Sequence, residues 1–320
     1  MTLGEFELIE RYFKPREPLR PDVVLGIGDD AALLRPPVGM DLALTTDTLV
    51  AGVHFDDRMD AADIGHRALA VNLSDLAAMG ATPAWTLLAL TMPEADEAWI
   101  QAFADGFMSL ATRHCTSLVG GNLARGPRNV TVTVAGLLPM GQALRRSGAR
   151  PGDDIYVTGT LGDARLALAI MGGLAPRATV AQRSDLYTRY ARPEPRLAVG
   201  QRLLGIASSA IDISDGLASD LGHLLDGNRI GAVVEAGSLP LSRTMREVVT
   251  DQEARDHALF GSDDYELCFT ARPALAGAIR ALAADCTITR IGTITDGSGI
   301  NLRYPDGSEA ALPVSGYRHF

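Results

Sequence analysis

Two prolines, Pro36 and Pro37, limit what the most suggestive stretch of this 320-residue chain can become. Ahead of them the apolar run Val23-Val24-Leu25 leads into Gly26-Ile-Gly-Asp-Asp-Ala31. That run imitates the G-x-G-x-x-A turn of a dinucleotide-binding unit, with Asp47 in the role of the ribose acid. Such a unit needs a crossover helix, and a helix starting at Ala31 is stopped at Arg35. Asp29 and Asp30 would also stand at the pyrophosphate position and repel it. An NAD-dependent oxidoreductase is therefore disfavoured, and the stretch reads as a short strand running into an acidic loop.

A second strand, ending in Leu42-Ala43-Leu44, leads into Thr45-Thr-Asp-Thr-Leu-Val-Ala-Gly-Val-His-Phe55. Asp29, Asp30 and Asp47 are thus expected at strand ends. The pattern repeats downstream at Asp212-Ile-Ser-Asp215, with Asp75 between. Each group alone has an ordinary reading as Asx-turns and caps. Their recurrence favours convergence on cations, because two carboxylates ~5 Å apart repel by about 3 kcal/mol at an effective dielectric of ~20. Mg²⁺ with phosphates is the usual partner of such oxygen donors. Ser214 would cap the helix that follows, whose first N–H groups would face a phosphate.

Lys14 is the only lysine, so arginine supplies the other 28 of the 29 basic residues. A P-loop and a protein kinase both need a lysine in a set context, and Lys14 has none. Any phosphate handled here must be neutralised by metals and arginines. The net charge of −10 argues against nucleic-acid and anionic-membrane partners. Cys115, Cys268 and Cys286 form no CxxC pair and the six histidines no zinc motif, so reduced thiols in a cytoplasmic protein are expected. No run is long and apolar enough to span a bilayer.

In order, the pattern predicts a short helix over 5–13 and a helix from an Asp63 N-cap to Met79, with Gly80 past its end. Asn72 and Asp75 share one face of that helix. A strand over 85–92, a helix over 96–114, a short strand ending at Gly120-Gly121-Asn122 and a strand over 130–138 follow. The turn-rich segment 141–152 reads as a domain boundary, giving domains 1–140 and 150–320. Beyond it come strands at 154–158, 209–213, 231–235, 265–270 and 287–294. Helices are expected over 161–171, 196–204, 216–225, 251–258 and 273–283. Mixed strands and helices in two halves argue for an α+β or an α/β protein, of which α+β is the expectation taken. Locally, His54 reads as a packed histidine, Gly120-Gly121 as a tight turn, and Arg145-Arg146 as a surface pair.

Taken together, Gly28–Ala32, Thr45–Phe55, Asn72-Leu-Ser-Asp-Leu-Ala-Ala-Met-Gly-Ala-Thr-Pro83, Asp212-Ile-Ser-Asp-Gly-Leu217 and Asp264-Tyr-Glu-Leu267 resemble the thiamine-monophosphate kinase family. That family lies in the aminoimidazole ribonucleotide synthetase superfamily. The resemblance implies a two-domain fold of that superfamily, with an N-terminal mixed sheet carrying helices and a C-terminal α/β domain. It implies ATP-dependent phosphorylation of thiamine monophosphate to thiamine diphosphate by direct in-line transfer, with several Mg²⁺ ions, in a homodimer. Asp30, Thr45, Thr46, Asp47, Asp75, Asp212 and Asp215 match the family's metal positions. Gly121, Arg146 and Ser214 match nucleotide positions, and His54, Glu266 and Tyr317 match the thiamine phosphate site. Asn122 stands where the family often has Asp, and is counted with both the metal and the nucleotide sets. A sister ATP-dependent synthetase, such as a selenophosphate or formylglycinamidine enzyme, and a non-catalytic nucleotide sensor are the rival readings.

Overall fold

The computed structural model describes residues 4–14, 20–56, 58–174, 177–226, 229–284 and 286–317. The chain divides into two units, Met1–Leu76 with Ala81–Gly141, and Ala77–Gly80 with Gln142–Phe320.

The first unit opens with α1 (Glu5–Leu8), which continues as a wider turn over Ile9–Phe13, and a two-stranded ribbon, β1 (Val23–Leu25) and β2 (Leu33–Leu34). β3 (Met40–Val50), α2 (Ala61–Met79), β4 (Thr82–Met92), α3 (Glu97–Arg113), β5 (Ser117–Arg125) and β6 (Asn129–Pro139) follow. The main sheet has the order β3-β6-β4-β5. β6 is antiparallel to both neighbours, while β4 and β5 run parallel, as the intervening α3 crossover requires. Asp96 caps α3 by accepting from the N–H groups of Ala98 and Trp99. Ile100, Phe103, Phe107 and Leu110 recur at helical spacing and are buried, each contributing about 1.5–3 kcal/mol. α2 and α3 touch backbone to backbone: a Cβ on Gly65 would lie 2.1 Å from the Phe103 carbonyl oxygen, and one on Gly106 1.9 Å from that of Ala62.

α2 packs on one face of the sheet, where Leu76 lies over Gly136. Val130, Val132 and Val134 are fully buried on β6. The other face is open. Leu42 and Leu44 on β3 and Leu87 on β4 are exposed, and the β1–β2 ribbon covers only one part of that face, around Trp85 and Ala135.

The second unit contains β7 (Asp154–Thr158), α4 (Asp163–Met171), α5 (Val180–Ala191), α6 (Leu197–Arg202), β8 (Ser209–Ile213), α7 (Leu217–Leu225) and β9 (Ile230–Glu235). Next are α8 (Arg243–Val248), α9 (Asp251–Phe260), β10 (Glu266–Ala271), α10 (Ala276–Leu282), β11 (Ile288–Asp296), β12 (Gly299–Arg303) and β13 (Glu309–Leu312). Its sheet has the order β13-β12-β9-β11-β7-β10-β8, antiparallel except for the β9–β12 pair. β7, β8 and β10 are buried along their whole length, and α7 closes the core with Leu217, Leu221 and Leu224.

Three boundaries differ from the sequence expectation in ways that move site residues. β3 does not end at Leu44: it pairs in unbroken register with β6 from Met40↔Pro139 to Val50↔Asn129, so Thr45, Thr46 and Asp47 are mid-strand. Threonines at 45, 46 and 48 suit a half-exposed strand as well as a loop. β5 continues to Arg125, which puts Gly120-Gly121 inside a strand instead of a turn. α2 begins at Ala61, so Asp63 lies in its first turn and is not its cap. The segment over 173–195 also holds a helix, α5, announced by a capping box between Thr179 and Gln182.

Candidate functional site

In the first unit, the period of two places Thr45 and Asp47 on the same face of β3, and the i, i+3 spacing brings Asn72 and Asp75 onto one face of α2. The two pairs meet. The Thr45 hydroxyl donates to Asp75 Oδ2 at 2.5 Å, and the Asp47 N–H donates to Asn72 Oδ1 at 3.0 Å. β3 is an edge strand, so Asn72 supplies an acceptor that no neighbouring strand offers. Asn72 is itself fully buried and held by donation from Nδ2 to the Ala68 carbonyl at 3.0 Å. Thr46 has its side chain apart from those of Thr45 and Asp47. Its hydroxyl points to the opposite, open face, where it bonds the Thr133 hydroxyl at 2.6 Å, and only its main chain stands with Thr45 and Asp47.

Asp29, Asp30, Gly121 and Asn122 come together on the open face, where they help line a cavity of about 940 Å³. The Asp30 N–H donates to Asp29 Oδ1 at 2.9 Å, a contact between adjacent residues and not the i to i+2 bond of an Asx-turn. Gly121 is required for a structural reason: its φ is 154°, and a Cβ there would lie 1.8 Å from the Leu88 carbonyl oxygen of β4. His54 sits in the turn after β3, where Nδ1 accepts from the Val50 N–H at 3.1 Å.

In the second unit, Asp212 is the next-to-last residue of β8, only 5% exposed, and Ser214 and Asp215 form the turn into α7. Three contacts hold that turn. Ser214 O accepts from the Asp263 N–H at 2.8 Å, Asp215 O accepts from the Tyr317 N–H at 3.2 Å, and Asp220 Oδ2 accepts from the N–H groups of Asp215 and Gly216 at 3.0 and 3.1 Å. Tyr317 and Asp215 are therefore neighbours. Two of the N–H donors in the turn ahead of α7 thus already have a carboxylate partner. Asp220 was missed by the sequence reading; its signal was an acid one turn past the helix start, where reach-back to the first N–H groups is favourable. Burial pushes its carboxyl up to about 6 despite those two hydrogen bonds. Arg146 is exposed in the segment that runs beside the start of β8, where the Arg145 carbonyl accepts from the Ala210 N–H at 2.9 Å.

Glu266 is not an open ligand-facing acid. It is 3% exposed on β10, takes a two-pronged contact from Arg196 Nε and Nη2 at 2.6 and 2.5 Å, and accepts the Thr158 hydroxyl at 2.6 Å. Gly159 must lack a side chain, because a Cβ there would lie 1.9 Å from Glu266 Oε1. The preceding loop is strained: Asp263 and Tyr265 adopt φ values of 74° and 49°. Between them Asp264 accepts from the Gly162 N–H at 2.8 Å, and burial raises its carboxyl well above the ordinary range.

The donor set in both units is carboxylate and hydroxyl oxygen, which suits a hard cation such as Mg²⁺ and not zinc. Among the described residues no group of three His, Cys, Asp and Glu side chains stands close enough to enclose an ion. Phosphate oxygens and water would complete such a shell, as they commonly do for Mg²⁺. Lys14 is ion-paired with Glu10 at 2.9 Å, one turn away on an exposed surface.

Residues 28–138 match the AIR synthase related protein N-terminal domain and residues 150–305 its C-terminal domain. The fold thus defines an AIR synthase-like protein of two such domains. Its relatives narrow this further. The chain is 48% identical over 326 residues to the thiamine-monophosphate kinase of Salmonella typhimurium, covering 100% of this chain and 99% of that one. A crystal structure of thiamine-monophosphate kinase from Stenotrophomonas maltophilia superimposes with TM-score 0.85 at 51% identity, over 91% and 93% of the two chains. The structure of AaThiL complexed with AMPPCP and TMP superimposes with TM-score 0.78 at 29% identity, over 89% of each. The chain belongs to the thiamine-monophosphate kinase family and is an enzyme of that phosphotransferase class.

Proposed function

We propose that this protein transfers the γ-phosphoryl group of ATP to the phosphate of thiamine monophosphate, releasing thiamine diphosphate and ADP. The observation that carries the reading is the likeness, over 89% of each chain, to AaThiL complexed with AMPPCP and TMP. The acceptor is already an oxyanion at neutral pH, so the reaction needs no strong general base and no covalent phosphoenzyme. Its barrier is the approach of two anions in line.

Asp30, Thr45, Asp47, Asp75, Asn122, Asp212 and Asp215 are proposed to hold Mg²⁺, with Thr46 joining through its main chain. Bound Mg²⁺ neutralises phosphate oxygens and orients donor and acceptor. Gly121, Asn122, Arg146 and Ser214 are assigned to the nucleotide, and His54 and Tyr317 to thiamine monophosphate. Glu266 serves the acceptor site indirectly, through Arg196 and Thr158. In this reading residues 1–140 supply the metal, nucleotide and dimer surfaces and 150–320 the second acidic set. A homodimer is supported by the open sheet face, on which Leu44 is 66% exposed. A cytoplasmic location accords with three cysteines that form no disulfide.

ADP release measured with thiamine monophosphate, thiamine or water as acceptor tests the reaction. Mg²⁺-dependent release is expected with the monophosphate alone; equal turnover on thiamine refutes the reading. Sedimentation velocity tests the dimer, which a Leu44→Asp variant should dissociate.

A further inference from the structure

Asp220 is an odd choice for a helix cap. It is 2% exposed in the first turn of α7, and burial works against its charge. Gly216, at the N-cap itself, contributes no side chain and has φ 114°. A serine or threonine N-cap satisfies a helix N–H without burying a carboxylate, but the left-handed φ and a Phe260 main-chain carbon 3.1 Å from a Cβ keep residue 216 a glycine. What Asp220 does that such a cap would not is reach one residue further back. Its Oδ2 takes the Asp215 N–H at 3.0 Å together with the Gly216 N–H at 3.1 Å. The carbonyl of Asp215 is meanwhile bonded by the Tyr317 N–H at 3.2 Å, and its neighbour Ser214 by the Asp263 N–H at 2.8 Å. The main chain carrying Asp215 is thus held on both its donor and acceptor sides, and Asp220 is the one side chain among these contacts.

We propose that Asp220 is a positioning residue for the Asp212–Asp215 pair: it fixes the peptide on which Asp215 is carried and so sets the separation and direction of the two carboxylates presented to a divalent cation. The proposal rests on the reading of Asp212 and Asp215 as cation ligands. Asparagine at 220 keeps a carbonyl oxygen for the two N–H groups while removing the charge. Alanine removes the acceptor, and serine leaves a hydroxyl too short to reach both donors.

The test uses the full chain and Mn²⁺ with ADP, read by electron paramagnetic resonance, beside deuterium exchange at the 215 and 216 amides and thermal melting. Asp220→Ala and Asp220→Ser should weaken Mn²⁺ about ten-fold, the size expected for losing charge-assisted hydrogen bonds, and deprotect both amides. Asp220→Asn should restore most of the affinity and the protection. Equal loss in Asn and Ala would show that charge, and not position, is at work. A lowered melting temperature with unchanged Mn²⁺ affinity in Ala and Ser would reduce Asp220 to a cap. Failure of the wild-type chain to take Mn²⁺ with ADP would also overturn the proposal. A chain that shows the expected Mn²⁺ pattern yet leaves thiamine monophosphate unphosphorylated overturns only the substrate reading.

Discussion

Asp47 and Asp212 belong to the same residue type on edge strands of two different sheets, yet the two units secure them by different means. In the first unit the strand runs on past the acid, and a neighbouring helix reaches over to fix it: Asn72 takes the Asp47 N–H, and Asp75 takes the Thr45 hydroxyl. In the second unit the strand stops one residue after the acid, and the turn that follows is held through its own main chain by Asp220, Asp263 and Tyr317. A strand interior is rigid by virtue of its ladder and needs only its edge satisfied. A turn has no ladder, and it is stabilised by capturing individual N–H and C=O groups. The strained φ values at Asp263 and Tyr265 occur beside the turn.

The most severe way to break the comparison is to remove one acid from each side. Asp47→Asn and Asp212→Asn should each lower turnover by at least about 100-fold, roughly 3 kcal/mol, while leaving the melting temperature unchanged or raised through relief of carboxylate repulsion. Steady-state kinetics at limiting Mg²⁺, paired with melting curves, decide this; near wild-type turnover in either variant removes that acid from the metal set.

Asn72→Ala probes the support on the first side alone. It leaves the edge N–H of Asp47 without its acceptor and empties a fully buried site, so urea unfolding should show a loss of about 1–3 kcal/mol. An unchanged midpoint would mean that β3 keeps its geometry without the helix.

The second side should be the more sensitive to pH. Asp264 has its folded pKa raised by burial, so the folded state keeps a proton that the unfolded state releases above its ordinary value of 3.8. Stability from this group therefore falls as pH rises through that value, until the folded carboxyl also ionises. Asp264→Asn keeps an acceptor for the Gly162 N–H and cannot titrate. Its unfolding midpoint, relative to wild type, should rise between pH 4 and neutrality in metal-free buffer. A difference that does not vary with pH would falsify the raised carboxyl.

The smallest effect is expected at Asn122, on the open face beside Asp29 and Asp30. Asn122→Asp should lower the Mg²⁺ concentration for half-maximal rate by a few-fold, about 1 kcal/mol, because the remaining aspartates already carry most of the charge. Superimposable Mg²⁺ titrations of the two proteins would strike residue 122 from the metal shell.

Much of this was legible from the chain. The strands at 154–158 and 209–213 have the same limits in sequence and structure, because each is a short apolar run with turn residues at both ends. The shared face of Asn72 and Asp75 followed from helical spacing alone, and the exclusion of a dinucleotide fold followed from Pro36-Pro37. Those features are local, fixed by residues within one or two turns of each other. The extent of β3 was not legible, because it depends on eleven partners in β6 some ninety residues away, and threonines are at home in strand and loop alike. The same holds for Gly120-Gly121, whose need for glycine comes from the Leu88 carbonyl on a neighbouring strand and not from a turn. It holds most clearly for Glu266. In the sequence it is an acid in a motif, while in the structure its charge is answered by Arg196, seventy positions away, and by Thr158. Sequence by itself determined which residues are acids and which local elements carry them. Only tertiary structure decided which of those acids are bonded to the protein's own groups, because an unpaired and a paired carboxylate differ in nothing that the chain records locally.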